Sequence, residues 1–240
     1  MTQSNISFDG FADDYEKHHD NYLPLGVRSE EFLRQKSVFV KNLSNEALAS
    51  ESSINLLDFG CGTGRLAESL INWKKLGTYY GLDDSQSTID EARERLSSQN
   101  NFKFVQNFNE IPNDFRPNLI LALNVFHHVS PVLREQKAQE LTNLLVPNGV
   151  LVLWEHNPWN PITRTLVKIC PFDKGVKLLT KTTGLNLFRR QLLECIDQRF
   201  LNITPPSLQR LAFFKYLEKN LNRYPLGAQY RLIFRKKSHD

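Results

Sequence analysis

The chain has 240 residues, of which 40% are hydrophobic and 23% charged, as expected of a soluble globular protein with one well-buried α/β domain. No apolar run reaches the roughly 18 residues of a transmembrane helix, and the polar start "MTQSNISFDG" lacks the basic-then-apolar pattern of a secretory signal. The net charge of +4 is uneven: residues 1–161 carry a balance of −7 and residues 162–240 one of +11, which leaves a solvated basic surface or contact with something anionic.

Residues 8–49 are expected to be helical, because "FADDYEKHHDNYL" and "VRSEEFLRQKSVFVKNL" space apolar residues by three and four. "SSINLLDFG" predicts a short buried strand ending in glycines. "RLAESLINWKKLG" predicts a helix that stops at Gly77. "TYYGLDDS" and "QSTIDEARERLSS" predict a second strand and helix, "NFKFVQNF" a third strand and "PNLILALNVF" a buried fourth. "SPVLREQKAQELTNLLVPNG" predicts a helix, and "VLVLWE" a fifth strand. This alternation points to a doubly wound, mostly parallel α/β sheet. Beyond residue 155 helices are expected through "NPITRTLVKIC", "GLNLFRRQLLECI" and "PSLQRLAFFKYLEKNL", with a possible strand at "RFLNIT". "AQYRLIFRKK" alternates as a half-buried final strand would. The three cysteines, Cys61, Cys170 and Cys195, are too few and too scattered for a disulfide framework or a zinc site, so a reducing cytoplasm is expected, and no metal.

"LLDFGCGTG" at 56–64 leaves a strand, turns on glycines and enters a helix. Gly60, Gly62 and Gly64 let the backbone bend and approach a ligand, and the helix start adds N–H donors. The spacing is G-x-G-x-G, not the G-x-G-x-x-G of dinucleotide folds, which disfavours a dehydrogenase. Asp58 precedes the loop. Asp83 stands at the end of the second strand, where an acid accepts ribose hydroxyls, and leaves Asp84 or Ser85 to cap the next helix.

Together with "LILALNVFHHV" and "LLVPNGVLVLWE", these motifs resemble the class I S-adenosylmethionine-dependent methyltransferases over residues 50–155. That resemblance implies a Rossmann-like, seven-stranded sheet with an antiparallel last strand and S-adenosyl-L-methionine as cofactor. It implies that Gly60, Cys61 and Gly62 lie against the methionine part. It implies that Asp83 holds the ribose, with Leu82 or Asp84 beside the adenine. Asn107 and Phe108 would meet the adenine, and Asn124 and Val125 would floor the methionine site. The family often has an acid where Asn107 stands; Asn still offers an acceptor. "FDGFADDYEKHHDNYLPLG" is similar to the family's N-terminal lid, with Tyr15 over the cofactor or simply packing, and Lys36 or Arg34 on the cofactor carboxylate. "EHNPWNPITR", "CPFD" and "PLGAQY" resemble a bacterial subgroup of the class and extend the resemblance to nearly the whole chain, with a leaning toward glycan or cell-surface biosynthesis. On this basis the single domain divides into an N-terminal helical lid (1–49), a cofactor-binding core (50–155), a helical acceptor-side cap (156–225) and a final strand (226–240).

Methyl transfer to a hydroxyl needs alignment, exclusion of water and removal of one proton. His127, His128 and His156 follow the fourth and fifth strands and are the candidate bases, with Glu155 and Asn157 placed to orient His156. Trp159 is the candidate aromatic platform. Other aromatics of the basic segment, from Phe172 to Tyr224, divide between a pocket for anionic sugars, lipid-linked intermediates or bases and the cap's own packing. The expected acceptor is a small molecule or an anionic glycan-type compound, methylated at oxygen. The alternatives are an RNA methyltransferase, for which no RNA-binding module is visible, and a non-catalytic cofactor-binding partner protein. Peripheral membrane contact stays open.

Overall fold

The structure is a computed structural model that describes residues 28–238; Tyr15 and the rest of the expected lid up to residue 27 lie outside the described residues, as does the side chain of Phe172. Five strands, β1 (Ile54–Phe59), β2 (Leu76–Leu82), β3 (Phe102–Val105), β4 (Leu119–Leu123) and β5 (Val150–His156), run parallel. β7 (Gln229–Lys236) lies antiparallel between β5 and β6 (Leu193–Leu201). The sheet is therefore mixed, in the order β3-β2-β1-β4-β5-β7-β6.

The continuous apolar runs of the parallel strands follow from burial on both faces. Side chains alternate across a strand, so Leu57, Phe59, Ile120, Leu151 and Leu153 meet one layer, with α4 (Arg134–Leu144) and α6 (Lys181–Arg189). Leu56, Leu119, Leu121, Val150 and Val152 meet the other, with α1 (Ser29–Ala47), α2 (Arg65–Ser69) and α3 (Gln86–Arg95). Strand order reverses between β1 and β4. The loops leaving their carboxyl ends diverge there and open a crevice, the usual ligand position of such sheets.

Three expectations are corrected. The helix after the glycine loop does not run to Gly77: α2 stops at Ser69, and Gly77 is inside β2, whose first residue Leu76 pairs with Ile54. Pairing in the sheet outweighs the helical pattern of "INWKK". The helix expected over 184–196 ends at Arg189; Leu192 takes a φ of 62°, and Leu193 begins β6. The segment 156–225 is consequently not a purely helical cap, since β6 forms the sheet edge. Its later helix, α7 (Ala212–Leu221), buries none of its residues, so Phe214 and Leu217 are only half-buried.

Helix α1 is fastened to β7 and to α2. Arg231 of β7 places its guanidinium 3.9 Å from the Phe39 ring and pairs with Asp197 at 3.0 Å. Lys41 donates to the Ser69 carbonyl at 3.1 Å, and Arg235 to that of Ala47 at 3.0 Å. These anchors hold the α1 residue Lys36 over the crevice.

Candidate active site

A cavity of about 400 Å³ opens above the carboxyl ends of β1, β2, β4 and β5, inside the roughly 300–1,000 Å³ range of small-molecule sites. Its walls include Gly60, Gly62, Asp83 and Asn124 on one side and His128, His156 and Asp173 on the other.

The glycine loop is shaped by contacts on both flanks. The backbone N–H groups of Gly60 and Cys61 donate to the Leu82 carbonyl at 2.7 and 3.2 Å, and Gly62 N donates to Asp83 Oδ2 at 2.9 Å. Gly60 has φ +79°, and a Cβ there would stand 2.3 Å from Val125 Cγ2. Gly60→Ala is therefore expected to cost about 1–3 kcal/mol, read as a fall in thermal midpoint; an unchanged midpoint would show that the β1 and β4 loops part without strain. At Gly62, with φ +52°, a Cβ would have no neighbour within 4 Å, so this backbone faces open cavity. Gly64 packs on Ala92 of α3 and stands behind the wall.

Asp83 accepts from Ser85 N at 3.2 Å and Thr88 Oγ1 at 3.0 Å as well as from Gly62. A carboxylate has about four acceptor positions, so these three bonds fix it while leaving capacity toward the cavity. Burial raises its pKa against those hydrogen bonds. Ser85 caps α3 through Thr88 N, which leaves Asp84 on the cavity wall. Deeper in, Asp58 accepts from Tyr79 Oη at 2.6 Å. Burial pushes Asp58 up to about 6 and pulls Lys36 down to about 8, and each charge favours the other. Of the two cations weighed for the cofactor carboxylate, Lys36 lines the cavity while Arg34 is exposed on the outer side of α1.

Glu155 organises the opposite wall. It is fully buried and accepts from Val125 N at 2.9 Å, Phe126 N at 2.7 Å and His127 Nδ1 at 2.5 Å. It thus fixes the β4 loop and His127; the expected role, orienting His156, is not what its hydrogen bonds show. The Nε2 of His127 lies 3.5 Å from Asp173 Oδ1, and that of His128 3.4 Å from the same oxygen. Burial opposes a charge on His127, but Glu155 and Asp173 outweigh it and raise its pKa to about 9. That raised pKa favours a bound proton, and His127 is not on the cavity wall, so neither feature supports it as the base. Burial, with the His127 charge behind it, lowers His128 to about 4 and His156 to about 3.

The stretch 155–164 and the stretch 225–230 are laced together. Asn157 Nδ2 donates to the carbonyls of Pro225 and Gly227 at 3.0 and 2.8 Å, Asn160 Nδ2 to Leu226 at 2.7 Å and Thr163 Oγ1 to Ala228 at 2.9 Å. Trp154 Nε1 donates to Gln229 Oε1 at 2.8 Å. Asn157 is therefore a buried tie and does not orient His156. Asn160 also caps α5 (Pro161–Ile169), whose first residue is proline. Trp159 points away: it is 69% exposed and absent from the cavity wall.

S-adenosylmethionine fits the cofactor half on two observations. The backbone at Gly62 is open to the cavity, and Asn124, at φ 59°, has a buried Oδ1 that accepts nothing from the described residues. Cys61, Asp58, Asp84, Asn124 and Val125 also line the cavity; Leu82, Asn107 and Phe108 do not. Leu82 is buried in the core. Asn107 spends its side chain and N–H on Glu110 Oε1 at 2.9 and 3.1 Å, and Phe108 packs on Phe59 beneath the Lys137 ammonium. Asp173 escaped the sequence reading, although "CPFD" contains it as its one carboxylate. Among the described residues no helix is long and apolar enough to cross a membrane.

Residues 57–151 match the family described as "Methyltransferase domain". A curated relative, trans-aconitate 2-methyltransferase of Variovorax paradoxus (strain S110), is 34% identical over 98 residues, which is 41% of this chain. The match spans only 37% of that protein's length. Among solved structures, the N-methyltransferase NodS of Bradyrhizobium japonicum WM9, in complex with S-adenosyl-L-homocysteine, aligns with a TM-score of 0.59 and 14% identity, covering 94% of this chain and 100% of that one. The [4+2]-cyclase SpnF aligns with a TM-score of 0.60 and 16% identity, covering 84% and 81%. At such identities the likeness is one of fold, and the cyclase shows that the fold alone does not name a reaction. The matched stretch, residues 57–151, contains the glycine loop and is similar to a methyltransferase domain.

Proposed function

We propose that the chain is an S-adenosylmethionine-dependent methyltransferase that methylates a small-molecule or glycan-type acceptor at oxygen. One observation carries this reading: the cavity joins the glycine loop, Asp83 and Asn124 to an acceptor wall bearing His156. When bound, the cofactor supplies a methyl group already activated on a positive sulfur. Gly60, Cys61 and Gly62 would hold its methionine part and Asp83 its ribose. Asn124 Oδ1 would be free to accept from its ammonium, and Lys36 would serve its carboxylate. Asp84 would stand beside the adenine.

His156, at the end of β5 on the cavity wall, is held neutral by burial, which lowers its pKa to about 3; it would accept, as a weak base, the proton that an acceptor hydroxyl loses as its oxygen gains the methyl. His156→Ala is expected to lower turnover by roughly 10²–10⁴-fold while S-adenosylhomocysteine affinity changes little, as read by calorimetry. If only His128→Ala produces that split, the base is His128. The printed name of the curated relative, a methyltransferase of trans-aconitate, supports a small acceptor over a macromolecule. The direct test is labelled cofactor incubated with fractions of a host extract, followed by mass spectrometry for a product heavier by one CH₂. Label that reaches only protein-free RNA would replace the small acceptor with RNA.

RNA is the second reading, favoured by the excess of 11 positive charges in residues 162–240. It predicts affinity that falls steeply with salt; a flat response removes it.

A further inference from the structure

We propose that His127, His128 and Asp173 form a site for one divalent transition-metal ion on the acceptor side of the cavity. The three side chains offer ligand atoms that all lie within 4.8 Å of one another. Asp173 Oδ1 is 3.5 Å from His127 Nε2 and 3.4 Å from His128 Nε2. An ion with bonds of about 2.0–2.1 Å keeps neighbouring ligands roughly 3–3.5 Å apart, so both separations already suit a shared ion. Two imidazoles and one carboxylate match the donor set of Zn²⁺ and its neighbours in the first transition row, and do not suit Mg²⁺ or Ca²⁺.

The surroundings have the features of a metal site. Glu155 takes the Nδ1–H of His127, which turns Nε2 toward Asp173; a buried carboxylate behind a ligating histidine is the usual outer support. The segment carrying Asp173 is pinned to the β4 loop. Lys177 N donates to the His127 carbonyl at 3.3 Å, and Arg134 bonds both the Val129 and the Lys177 carbonyls.

His128 and Asp173 also line the cavity, so the remaining coordination positions point to where an acceptor enters. An ion there would bind an acceptor oxygen and make its hydroxyl more acidic. That role rests on the methyltransferase reading above; the site itself does not.

The test uses the full chain, stripped with a chelator and titrated with Co²⁺ by absorbance and Zn²⁺ by calorimetry. One equivalent of each is expected. The imidazole ¹H–¹⁵N signals of His127 and His128 should shift together as that equivalent of Zn²⁺ is added. Asp173→Asn and His128→Ala should each weaken the ion about a hundredfold or more. No stoichiometric binding by the unsubstituted chain overturns the proposal, even if a variant fails to fold. So does equal affinity in both variants. S-adenosylhomocysteine is titrated into the same samples. Its binding without the ion sinks this site alone; the ion's binding without it sinks the cofactor reading and leaves the site standing.

Discussion

Glu155→Ala is expected to destabilise the chain by about 3–5 kcal/mol, the usual cost of leaving a buried charge without its partner. The carboxylate is fully buried and accepts from two backbone N–H groups and from His127 Nδ1. Burial opposes its charge, but His127 and the Phe126 N–H hold its pKa below the ordinary glutamate value. Removing it leaves the buried His127 imidazole and two backbone N–H donors without their acceptor. Domains are stable by only about 5–15 kcal/mol, so the loss is a large fraction of the total. Thermal melting should fall by roughly 6–20 °C, from about 2–4 °C per kcal/mol in a chain of this size. Glu155→Gln keeps the shape and one acceptor oxygen and should lose less. A loss below about 1 kcal/mol for the alanine variant would mean that the β4 loop does not depend on this residue.

Asp83→Ala is expected to weaken S-adenosylhomocysteine binding by roughly a hundredfold or more. Two ribose hydroxyls on a carboxylate are each worth about 1.5–3 kcal/mol, and a factor of ten is about 1.4 kcal/mol. The substitution has a second consequence. Asp83 also anchors Gly62 N, Ser85 N and Thr88 Oγ1, so the glycine loop loses its clamp together with the ribose. Asp83→Asn should rescue little, because its NH₂ group would face N–H donors. Calorimetry at a temperature where circular dichroism shows the fold intact separates binding from stability. Unchanged affinity in the alanine variant would remove Asp83 from the site and with it the assignment of the cavity's cofactor half.

The local signals that survived folding are those with a steric or hydrogen-bonding cause inside a few residues. Gly60 takes a φ of +79°, which a side chain rarely adopts, Pro161 opens a helix that Asn160 caps, and Ser85 caps the helix after a buried strand. Such causes are legible in sequence. The helical patterns over 65–77 and 184–196 end early because Leu76 pairs with Ile54 and Leu193 with Lys236, on strands elsewhere in the chain. Periodicity within one segment does not contain that information.

The acceptor side divides along the same line. A cluster of polar residues after a strand is visible in "EHNPWNPITR", but nothing local says which of them face a ligand. Glu155 and Asn157 turned inward because two backbone N–H groups at 125–126 and two carbonyls at 225 and 227 needed partners. Trp159 turned outward, and His156 alone of the cluster's first three residues reached the cavity. The strand, glycine loop and helix at 54–69, the acid Asp83 after the next strand and the alternation that builds a two-sided sheet were legible in sequence, since each is set by neighbours along the chain. The tertiary structure decided that Lys36 and not Arg34 meets the cavity, because the packing of α1 on the sheet chooses which helix face looks inward. It also decided that His127, His128 and Asp173 share one point, because the β4 loop and the segment carrying Asp173 are distant in the chain and only the packed sheet brings them together.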